Sequence, residues 1–247
     1  NSGTGSLRQA VDNANTLAGP DTITFSDGTG GTVNFTDSTP DTIALSGGQI
    51  SLDTDLTIAG TGADLLIVQN TAPSSGTSRV FLVPAGPAKT VQIRGLTMTG
   101  GNPTGRGGGL QIANGSNATV SIIACAIRGN STAGFGAGIH QGTGTLSVLN
   151  STISDNISSD ASGGGGGIDS SGTALTLVNS TLSGNSITGS NGGNSGAILA
   201  FATTTTIRNC TITNNTGTDG SGGVSRASGT VTVSNSIIAG NVNNTTQ

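Results

Sequence analysis

Two short patterns recur in step along this chain of 247 residues, and together they restrict what it can fold into. The first ends on Asn: "IRGN", "ISDN", "LSGN", "ITNN" and "IAGN" close on Asn130, Asn156, Asn185, Asn215 and Asn241, spaced 26, 29, 30 and 26 residues apart. The second is a Gly-rich tetrad closing on an aliphatic residue: "GGGL" (107–110), "GAGI" (136–139), "GGGI" (165–168), "SGAI" (195–198) and "SGGV" (221–224). A weaker copy, "IRGLTMTGG", puts Gly101 at the first marker 29 residues before Asn130. Two features held in order at one period are the mark of stacked repeats.

Inside a repeat the apolar residues alternate, as in "LTLVNSTLSGN" with Leu175, Leu177 and Leu182. That is a strand period, and β-branched Thr, Val and Ile fill it. Gly and Asn fall where the chain must turn, because both tolerate positive φ. Three short strands joined by three turns in under about 30 residues build one rung of a parallel β-helix, with rungs about 4.8 Å apart. The expected fold is therefore all-β, a right-handed parallel β-helix. From each marker Asn to the next tetrad's aliphatic residue the count is 9, 12, 13 and 9, so length varies mainly in one turn on one side of the solenoid. That side is the natural place for recognition.

Composition agrees. The chain has 43 Gly, no Trp, no Tyr and no Glu, and only 8% of residues are charged. Apolar residues still reach 32% in regular short runs, which excludes disorder. The net charge is −4, with seven Arg and one Lys scattered, so no basic stripe for nucleic acid exists. No apolar run has the length of a membrane span. The chain starts at Asn1 without a signal peptide, the form of a mature secreted protein or a trimmed segment, and near absence of Lys and Glu fits an exported protein.

The first ninety residues read differently. In "GSLRQAVDNANT", Leu7, Ala10, Val11 and Ala14 lie on one helical face, and Ser6 with Gln9 forms a capping box. A short amphipathic helix placed first would cover the open end of the solenoid. Then "TITF", "GTVNF", "TIAL", "GQISL", "DLTIAG", "LLIVQN" and "RVFLV" alternate as strands without the later repeat's sequence. The expected organisation is one domain over 1–247: a cap helix and lead-in (1–20), irregular first rungs (21–90) and regular rungs of 26–30 residues (91–247).

"GSLRQAVDNANTLAGPDTITF" (5–25), with "DLTIAGTGADLLIVQN" (55–70) and "VQIRGLTMTGG" (91–101), resembles the N-terminal signature of bacterial surface and secreted β-helix proteins named for a Cys-Ser-Leu-Arg-Glu-Ala-Ile motif. It is also similar to polymorphic outer-membrane proteins. Gly5 stands where that motif has Cys, and Gln9 where it has Glu. The resemblance implies a β-helix at a bacterial cell surface or secreted from it, and implies little about activity.

No catalytic set emerges. The acids are twelve Asp, eight of them before residue 65. Asp155, Asp160 and Asp169 lie near one variable loop and read as solvated loop acids, with a weak Ca²⁺ or sugar contact as the alternative and no base aligned beside them. His140, the single His, follows the "GAGI" tetrad at an outward position and reads as a surface residue. Cys125 and Cys210 share a slot with Ser151, Ser180 and Ser236, three rungs apart or about 14 Å, too far for a disulfide that needs Cα atoms within about 7 Å. Both are expected as free thiols in a ladder of small residues. Asn130, Asn156, Asn185, Asn215 and Asn241 are expected to turn the chain and to hydrogen-bond as a stacked ladder. That role competes with glycosylation at the sequons of Asn114, Asn117, Asn150, Asn156, Asn179 and Asn209.

The function expected is that of a non-catalytic, extracellular structural or adhesive protein without cofactors. Its partners are expected to be copies of itself stacked end to end into filaments, or the continuation of a longer surface protein, with glycans as further partners. Leu7 and Val11 at one end and Ile237 and Ile238 at the other mark the assembly ends. The alternative is a polysaccharide-binding or polysaccharide-cleaving β-helix. Less favoured is ice binding, through hydroxyl pairs such as Thr181/Ser183 and Thr211/Thr213, interrupted at Arg128.

Overall fold

The computed structural model describes residues 3, 5–26, 34–159, 164–189, 195–202, 204–218 and 220–244. The chain forms a parallel β-solenoid preceded by one short helix. Four parallel sheets run along it, of eight, eight, five and seven strands, and each full rung contributes one strand to each. One rung reads Thr145–Leu149 in the first sheet, Thr152–Ser154 in the second, Ile157–Ser158 in the third and Ile168–Ser170 in the fourth. The expectation of three strands per rung is thus corrected to four. The extra strand has two residues and sits at the start of the variable turn, where no alternation can announce it.

Parallel pairing in constant register stacks like on like. In the first sheet Leu146 pairs with Leu175, and Val148 with Leu177. In the second Ile127, Ile153, Leu182 and Ile212 form one column. In the fourth Leu110, Ile139, Ile168 and Ile198 form another. These side chains are essentially without solvent contact and belong to one continuous core. At about 25 cal/mol per Å² of apolar area, each such Leu or Ile contributes about 1.5–3 kcal/mol. The apolar core is mainly aliphatic, with Phe81 as its one fully buried aromatic side chain among the described residues.

Residues 21–90, whose sequence departs from the repeat, nevertheless enter the same sheets. Asp21–Thr24 and Leu56–Ala59 begin the first sheet, Asp41–Leu45 and Leu66–Asn70 the second, and Ile50–Ser51 and Phe81–Val83 the fourth. Among the described residues they contribute no strand to the third sheet, which starts at Ser131–Thr132. The expected strand "GTVNF" falls largely outside the described residues.

Helix α1 (Leu7–Ala14) buries Leu7, Val11 and Ala14 against the first rungs. Ser6 Oγ accepts from Gln9 N at 3.1 Å, so the N-cap forms. The reciprocal half of the capping box does not, because Gln9 Nε2 donates instead to Asn13 Oδ1 at 2.8 Å. Arg8 donates to the carbonyls of Gln49 and Gly48 (2.7 and 2.5 Å), and Asn15 Nδ2 donates to Ser51 O at 3.0 Å, fastening the helix to the rung beneath.

Cys125 and Cys210 are free and buried. Burial pushes the Cys125 thiol up to about 11. Both cysteines should therefore resist iodoacetamide at neutral pH in the native protein and react after denaturation, as read by intact mass. Rapid native alkylation of either would contradict the described packing.

Candidate structural ladder and the buried polar pair

Each marker Asn follows a corner at which the chain leaves the second sheet. The residue before it takes the left-handed backbone: Gly129 (φ 61), Asp155 (φ 55), Gly184 (φ 65), Asn214 (φ 55) and Gly240 (φ 66). Asn185 was expected to turn the chain; Gly184 does so, and Asn185 points into the interior with no exposed surface. A second left-handed corner, between the first two sheets, is held by Asn150, Asn179, Asn209 and Asn235. The two kinds of Asn in "VNSTLSGN" therefore have different work.

The inner Asn form a continuous hydrogen-bonded column. Asn185 Oδ1 accepts from both the backbone N (3.2 Å) and Nδ2 (2.8 Å) of Asn156. Its own Nδ2 donates to Asn215 Oδ1 (2.9 Å) and to Ile153 O (2.9 Å). The same pattern links Asn130 to Asn156 and Asn215 to Asn241, and Gly101 N donates to Asn130 Oδ1 at 2.9 Å. Every amide thus satisfies a corner N–H of the previous rung and a strand carbonyl two residues before a corner. Unpaired, such buried groups would each cost about 1–3 kcal/mol.

The small-residue slot works in the same direction. Cys125 N donates to Ser151 Oγ (3.1 Å), Ser151 N to Ser180 Oγ (3.2 Å) and Cys210 N to Ser236 Oγ (3.0 Å). Outside, Asn179 Nδ2 donates to Asn150 Oδ1 (3.2 Å) and Asn209 Nδ2 to Asn179 Oδ1 (3.1 Å), an exposed ladder of opposite polarity. The sequon at Asn156 is buried within the inner column, with its amide fully engaged.

The second sequence marker is explained by contact with the first. A Cβ on Gly138 would lie 3.1 Å from Asn156 Nδ2 and 2.6 Å from Gly167 O. One on Gly166 would lie 2.5 Å from Ser186 O and 2.6 Å from Gly196 O. The tetrad glycines give the inner Asn column its room, and the side chains admitted there, Ala137 and Ala197, are single methyls.

The fourth sheet carries a polar pair read differently from the sequence. His140 and Asp169 are register partners in adjacent strands. His140 Nδ1 and Asp169 Oδ2 are 2.8 Å apart, and both residues are 2% exposed. The surface assignment of His140 is therefore overturned, as is the expectation that no base stands beside these acids. By strand alternation His140 faces away from the core. It is buried because the chain entering each fourth-sheet strand curls over that face: a Cβ on Gly136 would be 2.9 Å from His140 Cα. Within the described residues His140 Nε2 is buried without a partner. Such a pair fixes one imidazole tautomer, the first requirement of a base. No hydroxyl or thiol stands within hydrogen-bond reach of Nε2 among the described residues. Asp155 lies at an exposed corner on a different sheet, and Asp160 lies outside the described residues. Among the described residues no group of three or more His, Cys or Asp is placed to hold a metal ion.

Asn185→Ala would strip partners from Asn156 N, Asn156 Nδ2, Ile153 O and Asn215 Oδ1. It should cost at least about 3 kcal/mol in urea unfolding. Asn179→Gly, which keeps the left-handed corner and removes an exposed ladder rung, should cost under about 1 kcal/mol. Equal losses would show that the buried column is not the stronger tie.

Comparison with protein-family models, with curated proteins and with solved structures gave no match, so the functional reading rests on the ladder, the faces and the ends of the solenoid themselves.

Proposed function

We propose that this chain is a structural or adhesive β-solenoid acting outside a bacterial cell, a shaft that holds loops and ends at fixed spacing. The observation that carries this reading is the commitment of the repeat's marker residues to stacking. The Asn, Ser/Cys and Gly of each rung are engaged with the rung above or below, and the one buried His–Asp pair is walled from solvent. The expected resemblance of residues 5–25 to secreted β-helix proteins and the low charge support a surface location. No helix among the described residues is long and apolar enough to cross a membrane.

The two ends of the described solenoid differ. The first rung is covered by α1. The last presents four strands, Val224–Arg226, Thr230–Ser234, Ile237–Ala239 and Val242–Asn243, each paired on one side. Ile237 (62% exposed), Val242 (49%), Val233 (44%) and Ile238 (42%) leave that face apolar. Unpaired parallel edges with apolar side chains accept further strands. The proposal is that this face adds β-structure, from a second copy or from further rungs. Head-to-tail stacking of copies requires α1 to swing away from the first rung. The protein should therefore self-associate with rising concentration in sedimentation velocity, and Ile237→Lys with Val242→Lys should abolish this without lowering the melting temperature by more than a few degrees. A wild-type protein that sediments as a monomer at every concentration would remove copy stacking and leave the shaft.

A second reading, ice binding, is favoured by the outer face of the first sheet rather than the second. Thr119/Ser121, Thr145/Ser147, Ala174/Thr176, Thr204/Thr206 and Thr230/Thr232 are in register over five rungs. Their hydroxyls and methyls repeat at about 4.8 Å across strands and about 6.6 Å along them, with no charge among them. On this reading thermal hysteresis should be measurable, and Thr176→Tyr with Thr206→Tyr should remove it; no hysteresis in the wild type disposes of the reading.

A further inference from the structure

Lys89 is the only lysine of the chain, and it is buried. Only 6% of it is exposed, although the residues just before it, Ala85–Ala88, are open to solvent. Its ammonium can donate three hydrogen bonds. It makes one, to Pro84 O, at a long 3.4 Å. Lys89 forms no ion pair with a carboxylate of the described residues. A buried ammonium held by one weak bond is far from satisfied.

Lys89 lines a pocket of about 310 Å³. The pocket opens at the corner leading into the first sheet and is built from three separate segments. The chain after α1 gives Leu17, the second rung gives Asp53 and Asp55, and the third gives Pro87 and Lys89. The acidic wall is fixed in place. Asp53 accepts from Ser51 Oγ (2.5 Å) and from Asn15 Nδ2 (3.4 Å), and Asp53 N donates to Asn15 Oδ1 at 3.0 Å. Asp55 Oδ1 accepts from Thr90 N at 2.6 Å. Leu17, 59% exposed, gives the rim an apolar surface beside Pro87.

The second-rung wall thus carries two aspartates and the third-rung wall a lysine, with no ion pair between them. A simple anion would satisfy Lys89 but meet repulsion from Asp53 and Asp55. A metal cation would meet the reverse. A neutral polyhydroxyl compound suits both walls, because each hydroxyl accepts from an ammonium and donates to a carboxylate. Its C–H face would lie on Leu17 and Pro87. The volume falls at the small end of ligand pockets, which run from about 300 to 1,000 Å³. We propose that this pocket binds a neutral saccharide unit, with hydroxyls bridging Lys89 and Asp55. This gives the adhesive reading a ligand class, yet the pocket can bind sugar whether or not the shaft assembles.

The test is saturation-transfer NMR of the full chain with neutral hexoses, pentoses and their methyl glycosides, followed by titration of the best. Binding should weaken about tenfold or more in Lys89→Met and in Asp55→Asn, as for loss of a charge-assisted hydrogen bond. Leu17→Ala, at an exposed rim position, should weaken it less and leaves the fold intact if Lys89→Met does not. The single lysine gives an independent readout: amine-selective labelling of Lys89, followed by peptide mass, should slow with the sugar present. Failure of every neutral sugar to bind, binding unchanged in Asp55→Asn and Leu17→Ala, or binding of free amino acids in their place would each overturn the proposal. None of these outcomes bears on self-association, which sedimentation reads separately.

Discussion

The buried asparagine column is the interaction on which the rest of the solenoid depends. A coil of short strands must turn at every corner, and each corner leaves backbone donors and acceptors that no strand neighbour can reach. A carboxamide has one acceptor and a forked donor, which is what a repeating corner requires. Asn185 Oδ1 takes two donors from the rung before it, while Asn185 Nδ2 reaches Ile153 O and the next amide. Ser could not span both, and a charged acid could not donate. Because every amide is both donor and acceptor, removing one leaves orphans in two rungs. The column thus ties adjacent rungs into one cooperative unit, beyond what stacked aliphatics achieve alone.

That constraint explains which parts of the fold were legible in sequence. Anything that repeats once per rung left a periodic trace: the Asn column, the Ser/Cys slot and the glycines that make room for them. The free state of Cys125 and Cys210 followed from counting rungs. The third sheet was not legible, because a strand such as Ile157–Ser158 is too short to alternate and borders a turn whose length varies. The early strands shared no sequence with the later ones, yet Leu56 pairs with Val91 and Val68 with Met98. Backbone pairing and aliphatic volume were sufficient there, and the Asn marker was not needed.

Features that depend on what covers a face were the ones misread. Alignment already placed His140 and Asp169 in one column with Gln111, Leu199 and Ser225. Strand alternation turns His140 away from the face that Ile139 gives to the core. It could not give the curl of the chain over the fourth sheet, which turns an outward residue into a buried one. The Lys89 pocket was hidden for a related reason. Its walls come from residues 17–19, 53–55 and 87–89, which have no common spacing and belong to the part of the chain without a repeated sequence.

This division has a consequence for where recognition can evolve in such a molecule. In the regular rungs a substitution at an inner position is judged by both neighbours, so the marker residues are not free to acquire chemistry. The first rungs escape that rule. Among the described residues they carry no inner Asn column and no strand of the third sheet, and α1 packs on them. Eight of the twelve Asp and the single Lys lie before residue 90. Charge is concentrated where stacking is least strict, next to a cap that adds walls of its own. The regular shaft supplies length and stiffness, and the irregular end, released from the column's demands, is where this solenoid has room for a pocket.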